Sequence, residues 1–170
     1  MVSRWTVARS TDFRTQLHMR QWCIKFVLVK FIVIGKMKDR HLAALCEAML
    51  KRIRFDAKVE LQEIKDSGRD VDNRRILDAL AKERGFVIAL SEDGQTMGSV
   101  DLAGKLESTY KKLVFVIGGP LGLDAAVKKR ADLLLSLSPM TFTHEMARYI
   151  LFEQLFRAIT IIKGRGYHNA

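Results

Sequence analysis

LVFVIGGPLGLDAAVKKRADLLLSLSPMTF, residues 113–142, is the stretch that decides the fold of this chain. Its two unbroken apolar runs, Leu113–Ile117 and Leu133–Leu135, predict short strands that are buried on both faces of a sheet. The first run is followed by a glycine-rich turn and the second by Ser136–Pro139. Backbone groups in such turns can approach a ligand closely. Two turns in quick succession therefore predict one pocket built from both.

The same alternation extends towards the N-terminus. Apolar runs at Phe31–Ile34 and Phe86–Leu90, and the alternating segment Val59–Leu61, predict three further strands. Helical periodicity fills the intervals between them, so the sequence predicts an α/β protein with a mainly parallel sheet. Ligands of such sheets bind at the carboxyl ends of the strands. Three loops lie at such ends and should converge: those after Leu90, after Ile117 and after Leu135.

The glycine-rich turn Gly118–Gly122 matches neither of the common nucleotide-binding motifs. It lacks the GxGxxG spacing, and Pro120 removes an N–H group where a pyrophosphate would need one. The GK[ST] of a P-loop is also missing. Asp124 is placed to cap a short helix over 125–130, whose three cations suit its carboxyl end. The sequence therefore disfavours a conventional Rossmann nucleotide site.

The composition indicates a folded, basic protein. The chain has 170 residues, 48% of them hydrophobic, which is in the globular range and enough for a core. Its formal net charge is +10, and a small basic protein usually meets a polyanion, most often nucleic acid. Surface charge that serves solubility alone is the other interpretation.

Cysteine and histidine usage points to a reducing compartment and to no metal site. The two cysteines, Cys23 and Cys46, make neither a disulfide framework nor a zinc motif, and the four histidines are scattered. Cys46 lies at helical spacing among apolar residues and is predicted to be a core residue. The apolar run Ile24–Ile34 is too short to cross a membrane and contains two lysines. We expect a cytoplasmic protein without a membrane partner.

The first 28 residues differ from the rest. They are rich in Arg and Thr, and Asp12 is their one acidic residue. The sequence predicts a flexible extension outside the domain or an early-assigned start codon, with an RNA-binding arm or a targeting segment as the alternative. Residues 29–170 are predicted to form a single domain.

Four segments together resemble a known family. They are IGKMKD at 34–39, GGPLGL at 118–123, RADLLLSLSPMTFTHEMARYILFEQLFRA at 130–158 and GYH at 166–168. This combination resembles ribosomal RNA large-subunit methyltransferase H, a small enzyme of the SPOUT class, over about 29–168. The tail departs from the family pattern, because Gly166 stands where a proline is usual.

The resemblance implies an activity, a cofactor and partners. Such enzymes methylate N3 of a pseudouridine in 23S ribosomal RNA, use S-adenosylmethionine and act as homodimers on the assembled ribosome. Their fold is an α/β knot with a C-terminal trefoil knot, which general connection rules would not suggest. A ribosome-binding or assembly factor without turnover, and a SPOUT methyltransferase acting on transfer RNA, are the alternatives.

The resemblance also implies site residues. The expected cofactor contacts are Leu90, Gly118, Gly119, Leu137, Ser138, Pro139, Met140, Thr141 and Phe142. These positions belong to the same three loops that the strand pattern predicts to converge. The expected catalytic residues are His144, Arg148, Tyr167 and His168. Arg148 would stabilise the deprotonated base or hold a phosphate, and the other three would lie at the reacting base.

The last long helix bears on assembly. A helix predicted from Thr143 to about Ile159 is apolar around most of its circumference, apart from a narrow stripe in which Glu153 and Arg157 can pair. A helix of this kind should be buried on more than one side. We expect its own sheet to cover one side and a second subunit to cover another.

Overall fold

The computed structural model describes residues 28–109 and 112–168. Residues 1–27, nearly all of the predicted extension, lie outside the described residues, as do 110–111 and 169–170. Within these described residues, five strands and five helices alternate. The strands are β1 Leu28–Ile34, β2 Lys58–Ile64, β3 Phe86–Thr96, β4 Leu113–Ile117 and β5 Leu133–Ser136. The helices are α1 Arg40–Asp56, α2 Arg69–Leu80, α3 Ser99–Glu107, α4 Ala125–Arg130 and α5 His144–Ile162.

All five strands form one parallel sheet in the order β2-β1-β4-β3-β5. The predicted α/β class with a parallel sheet is confirmed. β1 and β4 are central neighbours, with Phe31 opposite Phe115. β2 lies at an edge, which explains why Val59–Leu61 alternates with polar residues instead of being apolar throughout. The trefoil knot stays a prediction.

Both faces of the sheet are covered by helices, so successive strand residues enter two different cores. Val29, Phe31 and Val33 pack with residues of α1, α3 and α5. Ile32 and Ile34 pack on the other face with residues of α2 and α4. This arrangement is the physical reason for the unbroken apolar runs in the sequence. The buried side chains of the central strands lie against helices on both faces.

Several element boundaries differ from the sequence prediction, two of them by extension at the carboxyl end. β3 was expected to end at Leu90, but it continues to Thr96 after a register shift against β5. Gly94 permits this, because a Cβ atom there would lie only 2.6 Å from the carbonyl carbon of Leu135. α5 also runs three residues beyond the predicted end at Ile159.

The order of the strands creates a crevice at one edge of the sheet. The connection after β1 leads to α1 on one face, whereas the connection after the adjacent β4 leads to α4 on the other face. Because these two connections leave the sheet in opposite directions, a gap opens at the carboxyl ends of the strands, where α/β proteins bind ligands. In the part of the chain that the structure describes, no helix combines the length and apolarity needed to cross a bilayer.

Candidate active site

A cavity of about 850 Å³ occupies this crevice. Its size falls within the range of small-molecule sites, roughly 300–1,000 Å³. The loops after β4 and β5 and the segment of β3 from Leu90 to Glu92 all line it. The predicted convergence of the segments after Leu90, Ile117 and Leu135 is therefore confirmed, although Leu90–Glu92 is part of β3 and not a loop. Eight of the nine expected cofactor residues line the cavity: Leu90, Gly118, Gly119, Leu137, Ser138, Met140, Thr141 and Phe142.

Pro139 is the expected cofactor residue that does not line the cavity. It is exposed and lies within the loop 137–143, between two residues that do line it. Two serines shape this loop. Ser136 donates a hydrogen bond to the carbonyl of Ser138 at 3.0 Å, and the Ser138 hydroxyl accepts one from the amide of Met140 at 3.0 Å. Thr143 then caps α5 by accepting a hydrogen bond from the amide of Met146.

The two adjacent glycines of the turn after β4 are required by packing within the chain. A Cβ atom on Gly118 would lie 3.0 Å from Cδ2 of Leu123, and one on Gly119 would lie 2.9 Å from Cγ2 of Ile34. Each contact is tighter than ordinary van der Waals separation. The turn can therefore follow this path only without side chains at these positions, and the path leaves its backbone at the cavity wall.

A second part of the lining comes from the segment between β1 and α1 and from the start of α5. Lys38, Asp39 and Leu42 line it from the first element, and His144, Glu145 and Ala147 from the second. Asp39 caps α1 by accepting hydrogen bonds from the amides of Leu42 and His41. These hydrogen bonds lower the pKa of the Asp39 carboxyl group, so it is ionised at neutral pH.

His144 is the first residue of α5 and lies half-buried at the cavity, as its predicted role requires. Its Nε2 lies 3.9 Å from a carboxylate oxygen of Glu145, and a Cβ atom on Gly35 would lie 3.7 Å from the same nitrogen. Gly35 adopts the left-handed φ of +77° that ends β1. The imidazole therefore lies between the cavity and the turn after β1.

Arg148 does not fulfil its predicted role. The residue is 2% exposed and does not line the cavity. Its Nη2 donates to the carbonyl of Gly35 at 2.7 Å, and its Nη1 forms an ion pair with Glu63 at 2.9 Å. Its Nε has no hydrogen-bond partner among the described atoms. Since the guanidinium is enclosed by protein, we correct its assignment from substrate contact to support of the β1–α1 turn.

Tyr167 and His168 lie away from the cavity of their own chain. The hydroxyl of Tyr167 donates to Glu153 at 3.1 Å, and Nδ1 of His168 lies 3.4 Å from Nη1 of Arg157. Burial and the hydrogen bond to Glu153 raise the pKa of Tyr167. Glu153 is nine residues beyond His144 in α5, a rise of about 14 Å along the helix. Within one chain, these two tail residues do not reach the reacting site expected for them.

Two further features that the sequence predicts as structural are confirmed. Glu153 and Arg157 form the predicted i,i+4 ion pair on α5. Cys46 is 4% exposed in the core between α1 and the sheet. Burial raises the pKa of its thiol to about 11, so it stays protonated and unreactive at neutral pH.

Comparison with known proteins decides the family. The family model described as "Predicted SPOUT methyltransferase" matches residues 27–168, most of the chain. This chain belongs to the SPOUT methyltransferase family. The match covers the whole sheet and every segment that lines the cavity. The resemblance deduced from the four sequence segments is confirmed at the level of the family.

Several relatives of this chain carry the name "Ribosomal RNA large subunit methyltransferase H". The relative from Desulfotalea psychrophila is 40% identical over 150 residues, covering 82% of this chain and 98% of the relative. The relative from Streptococcus sanguinis is 37% identical over 157 residues, covering 83% of this chain and 99% of the relative. A solved structure of a probable methylase family protein from Haemophilus influenzae matches with a TM-score of 0.53 at 13% identity, covering 84% and 70% of the two chains. At that identity the match shows a shared fold alone.

Sequence reasoning missed part of this SPOUT site. It did not place Lys38, Asp39 or Leu42 at the cavity, nor Glu92 and Glu145. A signal for the first group was present, because the segment IGKMKD follows the predicted strand Phe31–Ile34 and so lies at the same sheet edge as the other loops. Nothing in the sequence distinguishes Glu145 from the other polar residues of α5.

We predict that Arg148→Ala destabilises the fold. The change leaves the carbonyl of Gly35 without its donor and Glu63 without its partner, so we expect the free energy of unfolding to fall by about 2–4 kcal/mol. Arg54→Ala is the control, because Arg54 forms an exposed pair with Glu47 and should cost less than about 1 kcal/mol. Equilibrium urea unfolding measures both. Equal losses in the two variants would contradict a structural role for Arg148.

Proposed function

We propose that this protein is an S-adenosylmethionine-dependent methyltransferase that acts on N3 of a pseudouridine in 23S ribosomal RNA of the assembled ribosome. One observation carries the proposal. The cavity of a SPOUT-family chain is lined by the glycine turn and the loop 137–143, the segments in which it resembles ribosomal RNA methyltransferases. A binding factor without turnover would not need to keep such a cavity.

The lining suits the cofactor. Leu90, Leu137, Met140 and Phe142 offer the apolar surfaces that an adenine ring needs. Backbone groups of the turn at Gly118 and of the loop 137–143 can bind the polar edge of the base and the ribose. The volume of about 850 Å³ accommodates a molecule of this size.

The charge of the lining also favours this cofactor. Three carboxylates, those of Asp39, Glu92 and Glu145, line the cavity of a chain whose net charge is +10. An acidic cavity attracts a cationic ligand, and S-adenosylmethionine carries a sulfonium ion. The basic remainder of the protein suits a polyanionic substrate such as ribosomal RNA. The cavity and the outer surface thus favour ligands of opposite charge.

The residues of this chain align the reacting groups and accept the proton that leaves N3. The cofactor, when bound, supplies a methyl group activated by the positive sulfur atom. The rigid turn after β4 and the serine-shaped loop after β5 hold the reacting groups in one orientation, which is the main source of rate in such a transfer. We assign the acceptance of the N3 proton of the base to His144, which lines the cavity at the start of α5.

A homodimer completes this proposal. A second subunit is not needed to cover the whole of α5, because α1 and α3 flank this helix within one chain. The support comes instead from apolar side chains exposed around the cavity, namely Leu121, Met140, Phe142 and Met146. A second copy that covers this surface would shield it from water. Tyr167 and His168 can take part in catalysis only at the cavity of such a second copy.

The proposed substrate places the reaction in the cytoplasm. Ribosomes act there, and the cytoplasm keeps thiols reduced, which fits a chain with two cysteines and no disulfide framework. The predicted role of residues 1–28, as an extension or an arm, is independent of this proposal.

We predict that Gly118→Val abolishes cofactor binding. A valine side chain would collide with Leu123 or displace the turn into the cavity, so the Kd for S-adenosylmethionine should rise at least about tenfold. Gly104→Val is the matched control, because a Cβ atom at this exposed position of α3 meets nothing within 4 Å. Calorimetric titration measures the affinity, and circular dichroism confirms folding. Unchanged affinity in a folded Gly118→Val protein would refute the assignment.

We predict that the protein transfers labelled methyl groups from S-adenosylmethionine to ribosomes that lack the modification. Assembled ribosomes, free large subunits and bulk transfer RNA are compared as acceptors. Label confined to large-subunit RNA supports the proposal, and its position is then mapped to the base and ring nitrogen. Label on transfer RNA would assign the protein to another branch of the family. Cofactor binding without any transfer would favour the non-catalytic binding factor.

We predict a dimer in solution. Sedimentation equilibrium should give twice the chain mass of 19.4 kDa over a wide range of concentration. Met140→Glu should weaken the dimer, because it places a charge in the apolar surface around the cavity. Phe55→Glu is the control, since Phe55 is 83% exposed at the end of α1, near the opposite edge of the sheet. A monomer mass at every concentration would exclude the dimer.

A further inference from the structure

We propose that Lys38 is a catalytic residue whose ammonium group stabilises the anionic form of the target base during methyl transfer. The inference rests on the proposed function and deepens it, because it assigns the cation that the reaction needs. Arg148 was expected to fill this role from sequence. Its enclosure by Glu63 and the carbonyl of Gly35 leaves the role to another residue.

Lys38 is the one lysine or arginine among the described residues that line the cavity. The other ionisable groups in the lining are Asp39, Glu92, His144 and Glu145. Within the described ranges, the ammonium of Lys38 forms no ion pair, although Asp39 follows it directly in the chain. Lys38 is exposed, and an anion in this part of the cavity would meet no other lysine or arginine of the described lining.

The backbone of Lys38 is fixed, which distinguishes it from an ordinary surface lysine. The carboxylate of Glu145 accepts hydrogen bonds from the amide of Lys38 at 3.2 Å and from the amide of Asp39 at 3.1 Å. Glu145 is itself only 8% exposed. Arg148 holds the same segment through the carbonyl of Gly35. Glu145 and Arg148 are therefore positioning residues, which place the start of the lysine side chain at the cavity.

Lys38 also lies on the side of the cavity that the cofactor residues leave free. The residues proposed to bind the cofactor belong to β3 and to the loops after β4 and β5. Lys38 and His144 belong to the other part of the lining, formed by the β1–α1 segment and α5. A base that enters there would lie beside both Lys38 and His144.

These two groups account for the proton and the charge in the transfer. The N3–H bond breaks and its proton passes to the imidazole of His144, which leaves a negative charge on the ring and its carbonyl oxygens. Lys38 stabilises that charge by electrostatic attraction. The N3 lone pair then forms the new N–C bond as the C–S bond breaks, so S-adenosylhomocysteine departs as a neutral sulfide. His144 releases its proton to solvent.

The test compares Lys38→Ala, Lys38→Arg and the control Lys36→Ala. Lys36 is an exposed lysine two residues away that does not line the cavity. Methyl transfer to ribosomes gives kcat and KM, calorimetry gives the affinity for S-adenosylmethionine, and co-sedimentation gives the affinity for ribosomes. We expect Lys38→Ala to lower kcat about 100-fold, the usual effect of removing one stabilising group. Lys38→Arg keeps the charge and should restore most of the turnover.

The two affinities distinguish three partners for the Lys38 ammonium group: the target base, the cofactor carboxylate and an RNA phosphate. In Lys38→Ala, both affinities should stay within about twofold of the wild-type values, because the base becomes anionic only during the reaction. A loss of cofactor affinity would overturn the inference in favour of the cofactor carboxylate. A loss of ribosome affinity that matches the loss of activity would overturn it in favour of an RNA phosphate. Unchanged kcat would also overturn it.

Failure of the proposed function gives a different result. In that case the wild-type protein itself transfers no methyl group to ribosomes, and the three variants cannot differ from it. A wild-type protein that is active, with Lys38→Ala and Lys36→Ala equally active, overturns the role of Lys38 alone.

Discussion

The hydrogen bonds between α5 and the segment after β1 are the contacts on which the site depends. Arg148 binds the carbonyl of Gly35, and Glu145 binds the amides of Lys38 and Asp39. These contacts join residues more than 100 positions apart in the sequence. The Arg148 and Glu145 side chains that make them are buried, and a buried polar group without a partner is costly. Because α5 also follows the loop 137–143 directly, one helix end fixes two parts of the cavity at once. The geometry of the cavity thus depends on a few buried hydrogen bonds.

The protein separates its charges in a way that suits a cationic cofactor and a polyanionic substrate. The chain as a whole carries a net charge of +10, yet carboxylates outnumber ammonium groups in the lining of the cavity. Composition alone could only indicate the first of these facts. The second arises because Glu92 lies on the extension of β3 and Glu145 on the first turn of α5, and the sheet brings these two elements together. Lys38 lies within this acidic lining. Because lysine is common in the sequence, composition alone does not single this residue out.

Prediction from sequence succeeded where a residue's role follows from its neighbours in the chain. The apolar run Phe31–Ile34 predicts a strand buried on both faces, and Asp124 caps its helix as its position in the sequence suggests. Prediction failed for Arg148, because the motif that contains it does not say which way the side chain points or what surrounds it. Tyr167 and His168 were likewise assigned to the reacting site, whereas within one chain they pack against Glu153 and Arg157.

The sequence by itself determined the parallel α/β sheet, the three segments that converge at the cavity and the family to which the chain belongs. These follow from local periodicity and from contiguous motifs, which are properties of neighbouring residues. Only the tertiary structure decided which ionisable groups share the cavity and which are enclosed elsewhere. That choice depends on the order β2-β1-β4-β3-β5 and on the side from which α5 packs. Burial and charge at a site are set by residues distant in sequence, so Lys38 lines the cavity while Arg148 serves the fold.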